Sequence, residues 1–168
     1  MKHTYKITID IDPSLDESEV IIRAKEETAF VREIASFVVE RMEKEQDGIA
    51  VYKDGMAEEI DSSDIIRIYK EDRKMVVITG KGEYQARSSL QEFEEMLDKY
   101  RFLRISRSEI INLDRVSGFD MSFRGTVKVI FEDGSYSWVS RRYVNTVSSK
   151  LAKLASAGNI ERSGREKS

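Results

Sequence analysis

Two segments of this chain end apolar, strand-like runs in clusters of arginine, serine and asparagine. Phe102–Val116 contains Arg104, Ser106, Arg107, Ser108 and Asn112, and Trp138–Tyr143 contains Ser140, Arg141, Arg142 and Tyr143. An ordinary hairpin would close on Gly or Asp at such points. Guanidinium forks beside hydroxyls and amides have another use: their planar donors grip phosphate oxygens and guanine edges, and hydroxyls bond phosphate. A third loop, Lys70–Lys74, adds Lys70, Arg73 and Lys74. A sheet gives no reason of its own to collect cations at three of its turns. The three loops are therefore expected to line one edge of a β-body and to hold nucleic acid there. The segment opened by Arg141 is expected to be helical, with first-turn amides that favour an anion.

No other chemistry competes. The only histidine is His3 and cysteine is absent, which removes Ser-His and thiolate nucleophiles, disulfides and thiolate metal sites. Acidic pairs such as Glu58-Glu59 and Glu94-Glu95 read as solvated faces. Gly80-Lys81-Gly82 lacks the spacing and following helix of a phosphate loop. Asp10, Asp12 and Asp16 lack the glycine and closing glutamate of a calcium loop. The reading is non-enzymatic, with no cofactor and no metal. Trp138 reads as core or interface packing, and Phe102, Phe119, Phe123 and Phe131 as core, because they lack the paired pattern of single-strand readers.

The elements that must position these loops follow from patterning. The 168 residues are enough for one good core or two small ones, and 40% hydrophobic with 35% charged residues describes a globular chain with a charged surface. No apolar run approaches the roughly 20 residues of a membrane span, and the charged start Met1–Asp10 is unlike a secretory leader. These features imply a cytoplasmic protein. The net charge of −3 is unevenly spread: Met1–Asp64 holds 8 basic and 17 acidic residues, Ile65–Tyr100 holds 7 of each, and Arg101–Leu154 holds 10 basic and 5 acidic. An acidic front on a basic back suggests an anion-binding face on one module only.

Tyr5–Ile11 alternates and reads as a strand, Asp12–Ser18 as a turn holding the single proline, and Glu19–Ala24 as a second strand. Over 25–45, Phe30, Ile34, Phe37, Val38 and Met42 share one helical face, with Thr28 as N-cap and Gln46–Gly48 as the stop. The front is thus a β-β-α module, residues 1–47. Its long helix must lay an apolar stripe on something, and dimerisation through that face is expected. From residue 48 the texture changes to short strands: Ile49–Lys53, Ile65–Tyr69, Met75–Thr79, Glu83–Arg87, Phe102–Ile105, Ile110–Leu113, Val116–Met121, Thr126–Phe131 and Tyr136–Val139. Asp133-Gly134 marks a hairpin, and Ser88 or Ser89 caps one helix with Leu90, Phe93, Met96 and Leu97 on its apolar face. The class is α+β, mostly antiparallel, with the main body at 48–154 and a Ser/Gly-rich flexible tail at 155–168.

Ile65–Tyr69, the turn to Met75, Ser89–Leu97, Arg104-x-x-Arg107-Ser108-x-Ile110-x-Asn112 and Ser140-Arg141-Arg142-Tyr143, taken in that order, resemble the LytTR-type DNA-binding domain over roughly Ile49–Leu154. The resemblance implies a bacterial, response-regulator-like transcription regulator. Its elongated body of small antiparallel sheets would bind duplex DNA through loops in successive major grooves, at paired direct repeats. Mapped on this chain, the contact loops are Asp72–Met75, Ser106–Ser108 and Ser140–Arg142. Lys74 stands where members carry a polar contact residue, Arg107 at the central contact and Arg142 at the closing one, while Asn112 caps a turn. Many members have His where this chain has Ser106, so a hydroxyl replaces a base-reading imidazole. Many also carry a phosphoreceiver in front, where this chain has only its short module. It looks like the stand-alone branch, often encoded beside a small membrane protein, which is then a possible partner. The alternative from the residues themselves is a protein-interaction or signalling module that works through the acidic N-terminal helix.

Overall fold

Nearly every alternating apolar run becomes a strand because each finds a neighbour to complete its backbone hydrogen bonds. The computed structural model describes residues 8–16, 19–45, 48–156 and 161–164. In chain order the elements are β1 (Thr8–Ile11), α1 (Ala29–Glu45), β2 (Gly48–Lys53), β3 (Met56–Asp61), β4 (Ile65–Glu71), β5 (Lys74–Thr79), β6 (Gly82–Ala86) and α2 (Leu90–Met96). They continue as β7 (Phe102–Ser106), β8 (Glu109–Asn112), β9 (Val116–Asp120), β10 (Val127–Phe131), β11 (Tyr136–Val139), α3 (Val144–Ser156) and β12 (Glu161–Gly164).

The body is a seven-stranded antiparallel sheet, in the order β3-β2-β6-β5-β4-β8-β7, and a three-stranded sheet, β11-β10-β9. The strands at the centre of the larger sheet are apolar on both sides because both faces are covered. On one face Val51, Ile68, Val77 and Ile110 pack with Phe93 and Leu97 from α2 and its end. On the other, Ile66, Ile105 and Ile111 pack with Val127, Val129 and Val139 of the smaller sheet and Val147 of α3. A capping box fixes the start of α2: the Ser89 hydroxyl accepts from Glu92 N at 3.2 Å, and the Glu92 carboxylate accepts from Ser89 N at 2.6 Å. Asn112 is fully buried; its amide donates to Ile65 O at 2.7 Å and its carbonyl accepts from Asp114 N at 3.0 Å, which pins β8 to β4 as a turn cap.

Several expectations are corrected. Glu19–Ala24 forms no strand, so the front is β-α and not β-β-α: those residues have β propensity but no neighbouring strand. Of Tyr5–Ile11, residues 8–11 form β1, whose partner is β12, running parallel from within the segment expected as a tail; residues 5–7 lie outside the described ones, as do Gln46 and Asp47 of the expected helix stop and His3. Met56–Asp61 is a strand that periodicity missed. It is an edge strand paired only with β2, and Ile60 alone is buried on it, so alternation is absent. Phe123 is no core residue, being 44% exposed between β9 and β10. The chain after β11 makes a short 3-10 turn, Arg141–Tyr143, before α3 begins at Val144.

Thr28 caps α1 as expected, accepting from Val31 N at 3.3 Å. The helix touches the body at its last turns, where Arg41 meets the buried Asp98 at 2.7 Å and Phe37 sits edge-on to Tyr100 at 5.2 Å. Phe30, Phe37, Val39 and Met42 stay exposed.

Candidate nucleic-acid interface

Strand register brings the three basic loops to one end of the body. β4 and β8 are antiparallel with Tyr69 opposite Glu109, so the C-terminal end of β4 lies beside the turn that precedes β8. That juxtaposition is tied directly, Lys70 N donating to Ser108 O at 2.8 Å. The Asp72-Arg73 turn is two residues further on. The third loop docks on the same end, Ser140 N donating to Ile105 O at 2.9 Å at the close of β7.

Each loop is built differently. At Asp72 and Arg73 the backbone takes φ of 43° and 69°, the left-handed conformation of a tight hairpin that Gly or Asn normally supplies. An arginine held there costs conformational energy that a glycine would not, which points to a use for its side chain. The Ser106–Ser108 turn is folded by its own hydroxyls: Ser108 N donates to Ser106 Oγ at 3.1 Å, and the two Oγ atoms lie 3.3 Å apart. Arg104 completes it from inside. Its Nε donates to Ser106 O at 3.0 Å, one Nη to Arg107 O at 2.8 Å and the other to Glu94 of α2 at 2.5 Å. Arg104 therefore shapes the loop and leaves the Arg107 side chain outside. Tyr143 is likewise half-buried against the second core, so it anchors the Arg141-Arg142 turn.

The charges divide cleanly. Arg67, Arg101, Arg104 and Arg115 all face carboxylates. Arg73, Lys74, Arg107, Arg141 and Arg142 are exposed and have no ion pair among the described residues. Behind them the sheets are joined by a network that sequence reasoning did not foresee. One Nη of Arg67 donates to Ser137 Oγ at 2.8 Å and approaches Glu109 at 3.4 Å, and Ser137 Oγ donates to Glu109 at 2.6 Å. Burial beside this network raises the Tyr69 phenol pKa, so Tyr69 remains protonated and neutral. Glu94 and Glu109 were also missed, since an acid that pairs across 10 or 28 residues has no local signal.

Trp138 lies on the outer face of β11, edge-on to Phe123 at 4.9 Å and to Tyr136 at 6.4 Å, with the Lys128 ammonium 4.2 Å from the Tyr136 ring centre. It packs against other aromatics, but at the surface and not in the core.

The structure is a β-rich body that presents basic turns from one edge. Among the described residues no two α-helices follow one another directly. The family model described as the LytTr DNA-binding domain matches residues 57–152, and the chain belongs to that family. An uncharacterized HTH-type transcriptional regulator of Staphylococcus aureus strain N315 is 26% identical over 147 residues, 88% of this chain and 98% of that protein. Its counterpart in strain MRSA252 is 25% identical over the same span. Among solved structures, a LytTr DNA-binding domain from Bacillus cereus superposes with a TM-score of 0.61 at 23% identity, over 63% of this chain and 97% of that domain. No helix among the described residues is long and apolar enough to cross a membrane.

Proposed function

We propose that this protein is a sequence-specific transcriptional regulator of the cytoplasm that binds duplex DNA through the loops at 72–74, 106–108 and 140–142, in successive major grooves of paired direct repeats. The observation that carries the reading is the edge of unpaired cations: Arg73, Lys74, Arg107, Arg141 and Arg142 share one end of the body with no acidic partner among the described residues, while the arginines behind them are paired. An exposed fork with no protein acceptor is available to phosphate or guanine. Arg107 takes the central contact and Arg142 the closing one. Lys74 and the Ser106, Ser108 and Ser140 hydroxyls set register on the backbone, and Arg104 and Tyr143 hold the loops in place.

The test is selection of genomic fragments by the purified chain near physiological salt, followed by Arg107→Ala on the operator recovered. A bidentate arginine–guanine contact contributes about 1–3 kcal/mol, so the variant should lose roughly tenfold to a hundredfold in affinity. Loss below about twofold rejects the role, and absence of any enriched motif rejects sequence-specific reading.

The exposed apolar residues of α1 support self-association, which would place two bodies on two repeats. A second copy is the proposed occupant; a small membrane protein, implied by the family resemblance, would compete for the same face. Val39→Glu with Met42→Glu should convert a dimer to a monomer by sedimentation, with the urea midpoint of the body unchanged. A wild-type monomer at tens of micromolar excludes a solution dimer. The alternative, an interaction module without DNA, has the same helix in its favour and predicts no steep salt dependence.

A further inference from the structure

Arg87 lies at the same end of the large sheet, outside every loop assigned above. In β5 and β6, Met75 is opposite Ala86 and Val76 opposite Gln85; Lys74 begins β5 and Arg87 directly follows β6, so both stand at the same end of that strand pair. Alternation puts Lys74 on the side of the sheet that carries Val76. Two cations gathered at adjoining strand ends repel. Neither has an ion pair among the described residues. Glu71 is in register with Lys74 on its other side, but makes no ion pair with it. The Arg87 guanidinium is also held in place: its central carbon lies 4.5 Å from the ring centre of Tyr52, which is itself opposite Gln85. A guanidinium stacked on an aromatic face keeps its edge donors directed outward and loses little freedom when it binds.

We infer that Arg87, with Lys74 across the strand pair, is a further phosphate clamp for duplex DNA, gripping one backbone phosphodiester beyond the 72–74 turn. Between β6 and β7 there are four strand spacings, roughly 19 Å. The clamp therefore extends the contact edge from the Arg107 loop over about half of a ~34 Å helical turn. The bound anion replaces the missing carboxylate, relieving the repulsion between the two cations. A phosphate contact carries no base preference, so Arg87 contributes affinity and orientation while Arg107 and Arg142 read sequence. The inference rests on the DNA-binding reading of the neighbouring loops.

The experiment measures affinity of the full chain for its selected operator against salt, for the wild type, Arg87→Gln, Arg87→Lys, Lys74→Gln and the double variant. Arg87→Gln should lower the slope of log affinity against log salt by about 0.9, with a severalfold loss equal on the operator and on single-base variants of it. Arg87→Lys should keep the slope. The double variant should lose less than the sum of the two single losses, because the two side chains share one anion. An unchanged slope for Arg87→Gln overturns the clamp, even if affinity falls, since the residue would then act only by packing on Tyr52. A loss that depends on base sequence overturns it in favour of base readout. Failure of the wild type to bind any operator overturns the underlying reading, and the clamp with it.

Discussion

The joint between the two sheets and the loop edge hold the same residue type in opposite conditions. At the joint, Arg67 is three-quarters covered, pairs with Glu109 and bonds Ser137, and its guanidinium lies 5.0 Å from the Tyr69 ring centre and 5.5 Å from that of Phe131. At the edge, Arg73, Arg107, Arg141 and Arg142 stand in solvent without partners among the described residues. An arginine taken from water must be matched by carboxylates and acceptors, or the desolvation penalty is uncompensated. One left in water keeps its donors for an incoming ligand. The same side chain is thus a rivet in one region and, in the proposed function, a reading head in the other, and the difference lies in which acids the fold brings near. Arg104 belongs to both regions: its guanidinium is engaged inside, and what it holds is the backbone that presents Arg107.

Substitutions can break this comparison, beginning with the joint. Arg67→Ala should lower the folding free energy by about 3 kcal/mol, because it leaves Glu109 largely covered and without its cation. Urea titration checks it, and a change below about 1 kcal/mol would mean the joint is held by apolar packing alone. Arg104→Ala comes next, with an expected loss of roughly 1–2 kcal/mol in stability for the bonds to the Ser106 and Arg107 carbonyls. A fall in DNA affinity should accompany it, through the displaced loop. Arg104→Lys should not rescue either property, since one ammonium cannot reproduce the fork. The contrast with Arg107→Ala is the sharp point: that variant should melt like the wild type while losing DNA affinity. Equal destabilisation by the two would erase the distinction between holding and reading.

The smallest effect is expected at the strained turn. Arg73→Gly should raise stability by a few tenths to about 1 kcal/mol, since glycine adopts a φ of 69° without the Cβ clash. The same change should weaken DNA binding if Arg73 reaches the duplex. A gain in stability with full retention of binding would leave the strain without a functional cause. Calorimetry and a binding isotherm on one preparation separate these outcomes.

Local pattern was enough for much of this protein. The strands from β4 to β11 follow from alternation, the Asp133-Gly134 hairpin from turn chemistry with Gly134 at φ 81°, and the start of α2 from the Ser89–Glu92 capping box. The basic loops were visible because Arg and Ser at the ends of apolar runs are a departure from ordinary turn residues, and such departures are readable over a few positions. The edge strand β3 was missed for the complementary reason: a strand with one buried residue has no period to detect.

The sequence by itself determined which segments could be strands, that three turns would be cationic, and that Asn112 would serve a turn. Only the tertiary structure decided that β6, β5, β4, β8 and β7 would lie in that order, and with it that Lys70 would meet Ser108, Ile105 would receive Ser140, and Lys74 and Arg87 would share one end of the β5–β6 pair. It also decided which arginines would find carboxylates, turning Arg104 inward to Glu94 and leaving Arg107 out. The physical reason is range. Propensity, capping and alternation act over a few residues, whereas strand order and ion pairing depend on groups distant in sequence, whose meeting is fixed by burial of both sheet faces at once.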